Sequence, residues 1–191
     1  NTTEDVYLRG FVGGAIRIYM NGKTLYGTLR SYVCSCSISV YGGTKDSTEG
    51  ATGIIHPNIG LSFGSRAVSV GFEASQYAAL YKVKVYAPDN IPSDVSSTEK
   101  VCVASQAGTG SVYCKKVEIV NATVGFRSNN HGSMHVNSSS GVASKYGFQS
   151  ATGGIISIAN NSQCGGKTSA TNKGSGGQVW YDANGPTFAT G

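Results

Sequence analysis

The chain has 191 residues, 13% of them Asp, Glu, Lys or Arg, and a formal net charge of +5. Ordinary domains carry about 25% charged residues; the low charge, 27 glycines, 11 tyrosines and 39% hydrophobic content exclude a charge-rich disordered chain. No run reaches the ~18 apolar residues that span a bilayer, and the basic residues are scattered with Lys115-Lys116 as the only adjacent pair, which excludes a dedicated nucleic-acid surface.

Alternation of period two dominates in chain order. "VYLRGFV" opens a strand. "AIRIYMNGKTLYGTL" reads as a hairpin, with Ile16, Ile18 and Met20 alternating and Asn21-Gly22 as a type I′ turn. "SYVCSCSISVYGG" reads as one long strand with a polar face. "GGTKDSTEGATG" is a loop, and "GIIHPNIGLSFGS" is two short strands about Pro57. Ala74–Leu80 is the best helix candidate, a turn or two at most. "ALYKVKVYAP" is a strand, followed by a loop between Pro88 and Pro92. Residues 100–121 read as a hairpin about Gly108, residues 122–150 as weak strands among Gly and Ser turns, and "GGIISIANNSQCGG" and "QVWYDA" as the last strands. No repeat period is evident. Short strands separated by Gly, Asn and Pro turns predict an all-β, antiparallel β-sandwich (Ig-like or jelly-roll), elongated, with long Gly/Ser/Asn loops. Residues 1–185 form that single domain, and "NGPTFATG" over 186–191 starts a linker.

Cys102 and Cys114 lie symmetrically about Gly108, so the hairpin would face them across its two strands at disulfide geometry. One of Cys34 and Cys36 is then left to pair with Cys164, with one thiol over. Cys34-Ser35-Cys36 is not a zinc knuckle.

Several motifs suggest chemistry. His56, Asp89 or Asp94, and Ser175 follow the chain order of trypsin-like proteases, with Gly174-Ser175-Gly176-Gly177 as the nucleophile loop. Only sixteen residues follow Ser175, and Gly174 stands where that family has an acid, which argues against it. Gly60-Leu61-Ser62-Phe63-Gly64 matches a nucleophile elbow without the helix an elbow needs. His131 and His135 have i, i+4 spacing, but on a strand they are ~13 Å apart by the rise per residue, so no metal is assigned. Ten acids, mostly in loops or beside bases, offer no facing pair for glycoside hydrolysis.

What remains is recognition without catalysis. The polar loops 126–140, 158–163 and 179–185 supply Arg127, Asn129, Asn130, His131, Asn160 and Tyr181 as candidate ligand-binding residues. Trp180 and Tyr181 fall on opposite faces of the last strand; Trp180 is expected in the core and Tyr181 outside. Sequons at Asn1, Asn121, Asn137 and Asn160 are near chance for a Ser/Thr-rich chain.

In its low charge, its Gly/Ser/Thr/Asn-rich strands, a Cys102–Cys114 pair and a linker-like end at "NGPTFATG", the chain resembles the N-terminal receptor-binding, lectin-like domain of bacterial chaperone–usher fimbrial tip adhesins. The resemblance covers the whole length and rests on texture. It implies a secreted, non-enzymatic module at a fimbrial tip on the bacterial surface, without cofactor or membrane insertion. It also implies host carbohydrate or host surface or matrix protein as the partner, and a further pilin-like domain beyond the C-terminus. The alternatives are a secreted hydrolase and a structural pilin or tail-fibre module.

Overall fold

A computed structural model describes residues 6–9, 13–32, 36–47, 50–58, 69–74, 76–91, 93, 97–106, 110–159, 161–182 and 188. The backbone winds through seven turns. The first carries β1 (Val6–Arg9), β2 (Ala15–Tyr19) and β3 (Thr24–Leu25); the second β4 (Leu29–Tyr32), β5 (Ser37–Tyr41) and β6 (Gly53–Ile55). The third carries β7 (Ser69–Ala74), β8 (Tyr77–Tyr81) and β9 (Val83–Tyr86); the fourth β10 (Lys100–Gln106), β11 (Ser111–Lys115) and β12 (Glu118–Val120). Next come β13 (Val124–Asn129), β14 (Ser133–Asn137) and β15 (Ser140–Ala143), then β16 (Tyr146–Ser150), β17 (Ile155–Ile158) and β18 (Gln163–Gly166). The last turn holds β19 (Ser169–Lys173) and β20 (Gln178–Tyr181).

Each strand pairs with its equivalent one turn away. The first strands of the turns form sheet A, the second sheet B and the third sheet C. Every pairing among the described residues is parallel, as in Val101↔Val124, Ser111↔Ser133 and Glu118↔Ser140. The molecule is a three-sided parallel β-solenoid, and the expected antiparallel sandwich is corrected. Alternation reports which face of a strand is buried and says nothing about the direction of its partner. The helix candidate Ala74–Leu80 is corrected too, because it covers the end of β7 and most of β8.

The interior is a set of apolar columns. Sheet A contributes Leu29, Phe72, Val103, Phe126 and Phe148; sheet B contributes Ile38, Ala78, Val112, Met134, Ile156 and Val179, with Val40, Leu80, Cys114, Val136 and Ile158 beside them. Sheet C adds Ile55, Val85, Ile119 and Cys164. Identical registers stack like on like, and Phe126 and Phe148 lie 5.4 Å apart with ring planes 15° apart. Phe188 meets Phe148 and Tyr181 edge-on at the last turn.

Equivalent residues Val101, Val124, Tyr146 and Ser169 show that a turn takes 22 or 23 residues. The absence of a period in the sequence reading is therefore corrected. Residues between β5 and β6, β6 and β7, and β9 and β10 lengthen the early turns and hide the spacing.

Corners are built from short repeated devices. Between sheets A and B, Ser105, Ser128 and Ser150 are buried, and their hydroxyls donate to the carbonyls of Gly110, Gly132 and Gly154 at 3.2, 2.7 and 2.5 Å. The turns that follow place Asn130-His131, Thr152-Gly153 and Ser175-Gly176 in the left-handed region, with φ between 44° and 79°. Gly177 closes the last of them, where a Cβ would lie 2.1 Å from the Ser150 carbonyl oxygen.

The two expected hairpins each join strands of different sheets. Asn21 and Gly22 have φ of 52° and 68°, and Lys23 N–H donates to the Met20 carbonyl at 2.8 Å, but β2 and β3 belong to different sheets. "SYVCSCSISVYGG" likewise spans the end of β4 and the whole of β5, in sheets A and B. β10 and β11 belong to sheets A and B, so the premise for a Cys102–Cys114 bridge fails. Cys36, Cys102, Cys114 and Cys164 are buried, and Cys102, Cys114 and Cys164 are free thiols. Cys34 lies outside the described residues.

Candidate functional site

An aromatic spine runs along the outer face of sheet B. With inward residues alternating along each strand, the remaining side chains point to solvent, and parallel register places equivalent ones one strand spacing apart, about 4.7–4.9 Å. Tyr19 and Tyr41 stack at 5.2 Å, and Tyr41 and Tyr81 at 4.8 Å with planes 8° apart. The spine then steps over by two residues. Tyr113 tilts against Tyr81 at 5.8 Å and stacks on His135 at 5.3 Å and 5°. His135 Nδ1 lies 3.3 Å from the Ser157 hydroxyl, and Trp180 occupies the next register position after Ser157.

Trp180 is 58% exposed, and its indole N–H donates to Gln178 Oε1 at 3.2 Å. A groove of about 290 Å³ lies against it, lined by Lys173, Gly177, Gln178 and Val179. Tyr77 and Ile155, on the neighbouring outward column with Ser37, Ser111 and Ser133, are also exposed. The face offers ring edges, hydroxyls and one open indole face to a ligand lying along the solenoid.

The expected roles of the last two aromatics are reversed. Val179 is buried and Trp180 is outside, while Tyr181 continues the inward column of Val136 and Ile158 at the last turn. There it is 42% exposed and its hydroxyl lies 3.5 Å from Thr171 Oγ1.

The other sequence candidates scatter. Arg127 sits on sheet A, where its guanidinium donates to Glu99 at 3.0 Å. Asn129 ends the same strand, with a buried Oδ1 that has no hydrogen-bond partner. Asn130 and His131 form the corner between sheets A and B, and His131 N–H donates to the Thr152 carbonyl at 3.0 Å. Asn160 and the elbow around Ser62 lie outside the described residues. Composition alone could have pointed to the spine, since four of its members are tyrosines, but its continuity depends on the register.

The hydrolytic arrangements do not assemble. His56 and Asp89 pair at 3.1 Å, with His56 stacked on Tyr86 at 4.1 Å. Ser175, however, lies five turns away at a different corner, and its left-handed backbone repeats that of Asn130-His131. Glu73, Glu99 and Glu118 are held by Arg30, Arg127 and Lys84. Burial raises the Glu73 carboxyl above its ordinary range, and the Arg30 charge opposes that shift. Among the described residues no three His, Cys, Asp or Glu side chains group as metal ligands, and no helix is long and apolar enough to cross a membrane.

Comparison with family models, with curated proteins and with solved structures returns no match.

Proposed function

We propose that the chain is an extracellular, non-catalytic adhesin module whose sheet B face recognises an extended host glycan. The supporting observation is the spine Tyr19–Tyr41–Tyr81–Tyr113–His135, continued after Ser157 by exposed Trp180. Such a face suits a chain-like ligand, because the parallel register repeats a contact at every turn. Stacking on an open aromatic face and hydrogen bonds from hydroxyls are the usual means of orienting a ligand of this kind. The Ser157–His135 contact is the one arrangement that favours hydrolysis. Among the described residues, however, no acidic side chain pairs with His135 to orient it, as a serine nucleophile requires.

Binding to an array of polysaccharides and matrix proteins tests the proposal, with wild type compared against Tyr113→Ala and Trp180→Ala. Glycan binding that weakens at least tenfold in either variant and survives fluorophosphonate treatment is the expected result. Labelling of Ser157, or variants that bind as wild type does, would overturn it.

A further inference from the structure

The edge of the solenoid opposite sheet B, where sheet C turns into sheet A, carries a groove of about 390 Å³. It is lined by Lys100, Asn121, Thr123, Ser144 and Lys167, together with Ala122 and Val142. Four successive turns contribute to it. Their backbones are tied along the axis: Thr123 N–H donates to the Lys100 carbonyl at 2.8 Å, Ser144 N–H to Ala122 at 2.7 Å and Lys167 N–H to Ala143 at 3.0 Å. The hydroxyls and ammonium groups are therefore arrayed on a fixed frame.

Two lysines of this edge, Lys100 and Lys167, have no carboxylate partner among the described residues. Lys100 Nζ donates to a backbone carbonyl, that of Asp89, at 3.1 Å, and the Asp89 carboxylate is turned to His56. Lys145 stands beside the groove, 3.8 Å from Glu99, and Glu99 is already engaged by Arg127 at 3.0 Å. Two lysines flanking hydroxyls and an exposed asparagine amide match a sugar ring that bears an acidic group. The ammonium groups meet the charge, and the hydroxyls and amide meet the ring oxygens.

We infer that this groove is a second binding site, for an acidic saccharide bearing carboxylate or sulfate. The inference does not rest on the sheet B reading, since the two sites lie on opposite sides of the solenoid. Titration with polygalacturonate, dextran sulfate and neutral dextran at physiological salt tests it. The comparison sets wild type against Lys167→Gln and Lys100→Gln/Lys167→Gln. Lys23→Gln/Lys45→Gln removes the same charge from exposed positions in the first two turns. The expected result is binding of one or both acidic polymers, none of dextran, a loss of about fivefold to tenfold in the groove variants and less than twofold in the control. Preference between the two polymers separates carboxylate from sulfate. Equal losses in groove and control variants, equal binding of dextran, or no binding of either polymer would overturn it. Lys167→Gln changes one exposed side chain, so its result stands even if the double variant is destabilised. Loss at the groove with an intact sheet B response, or the reverse, shows which site has failed.

Discussion

Trp180 is the only tryptophan, so its fluorescence reports a single place on the molecule. At 58% exposure its emission is expected to be that of a solvated indole, quenched readily by acrylamide and protected when a glycan occupies sheet B. A blue-shifted, unquenched emission would contradict the structure. Trp180→Ala should leave stability within about 0.5 kcal/mol, the usual range for surface substitutions. Alternation had placed Trp180 and Tyr181 on opposite faces, which is correct, but it could not say which face was inside. That is decided by the columns below, where Ile156 and Ile158 point inward in the register of Val179 and Tyr181. The contrasting residue is Glu73, 2% exposed with Arg30 as its partner. Glu73→Ala should lower stability by about 3–5 kcal/mol, because it removes the carboxylate that pairs with a buried guanidinium. Chemical denaturation of the purified variant measures the loss.

At the scale of the elements, strand content was legible and strand partnership was not. The Asn21-Gly22 pair turns the chain as its sequence requires, yet it turns a corner of the solenoid where a reversal was expected. The repeat was present as "VGFEA", "VCVAS", "VGFRS" and "YGFQS", which occupy equivalent positions on β7, β10, β13 and β16. Uneven connections of the early turns and the Gly-to-Cys exchange in the second copy obscured it. The glycine of this repeat has a steric cause. A Cβ on Gly147 would lie 2.8 Å from the Gly165 backbone, and one on Gly125 would lie 2.7 Å from the Gly147 carbonyl oxygen. Gly147→Ala is therefore expected to destabilise by about 1–3 kcal/mol through overpacking. Gly174→Ala, whose Cβ would meet only the Ala151 methyl at 3.9 Å, should be nearly neutral. Thermal melts of the two variants check the contrast; equal shifts would count against this close packing of sheet A on sheet C. A separate feature, the left-handed corner between sheets A and B, explains why the loop around Ser175 resembled a protease loop. Its glycines satisfy a corner that every later turn repeats.

Across the whole molecule, the interior holds thiols where a disulfide-stapled sandwich was expected. A reductant should leave the melting temperature unchanged, and in the native protein Cys102, Cys114 and Cys164 should resist thiol reagents until it unfolds. The pH response follows from the same burial. Desolvation pushes the Cys102 thiol up to about 12, against hydrogen bonds to backbone that partly offset it. Cys114 and Cys164 are pushed up as well, chiefly by burial. In the unfolded chain these thiols ionise at about 8.5. Above that pH the unfolded state binds fewer protons than the folded state, so stability falls as pH rises, by up to about 1.4 kcal/mol per pH unit for each thiol. For Cys102 the loss runs on until its folded value of about 12 is reached. Below about pH 7 the thiols are neutral in both states and contribute almost no slope. Cys114 shares its column with Val40, Leu80, Val136 and Ile158, so Cys114→Val fits the interior and removes one titrating group. The melting temperature of wild type is expected to drop steeply between pH 8.5 and 10.5, and that of Cys114→Val less steeply over the same range. Parallel slopes for the two proteins would mean that the Cys114 thiol does not contribute to the alkaline loss.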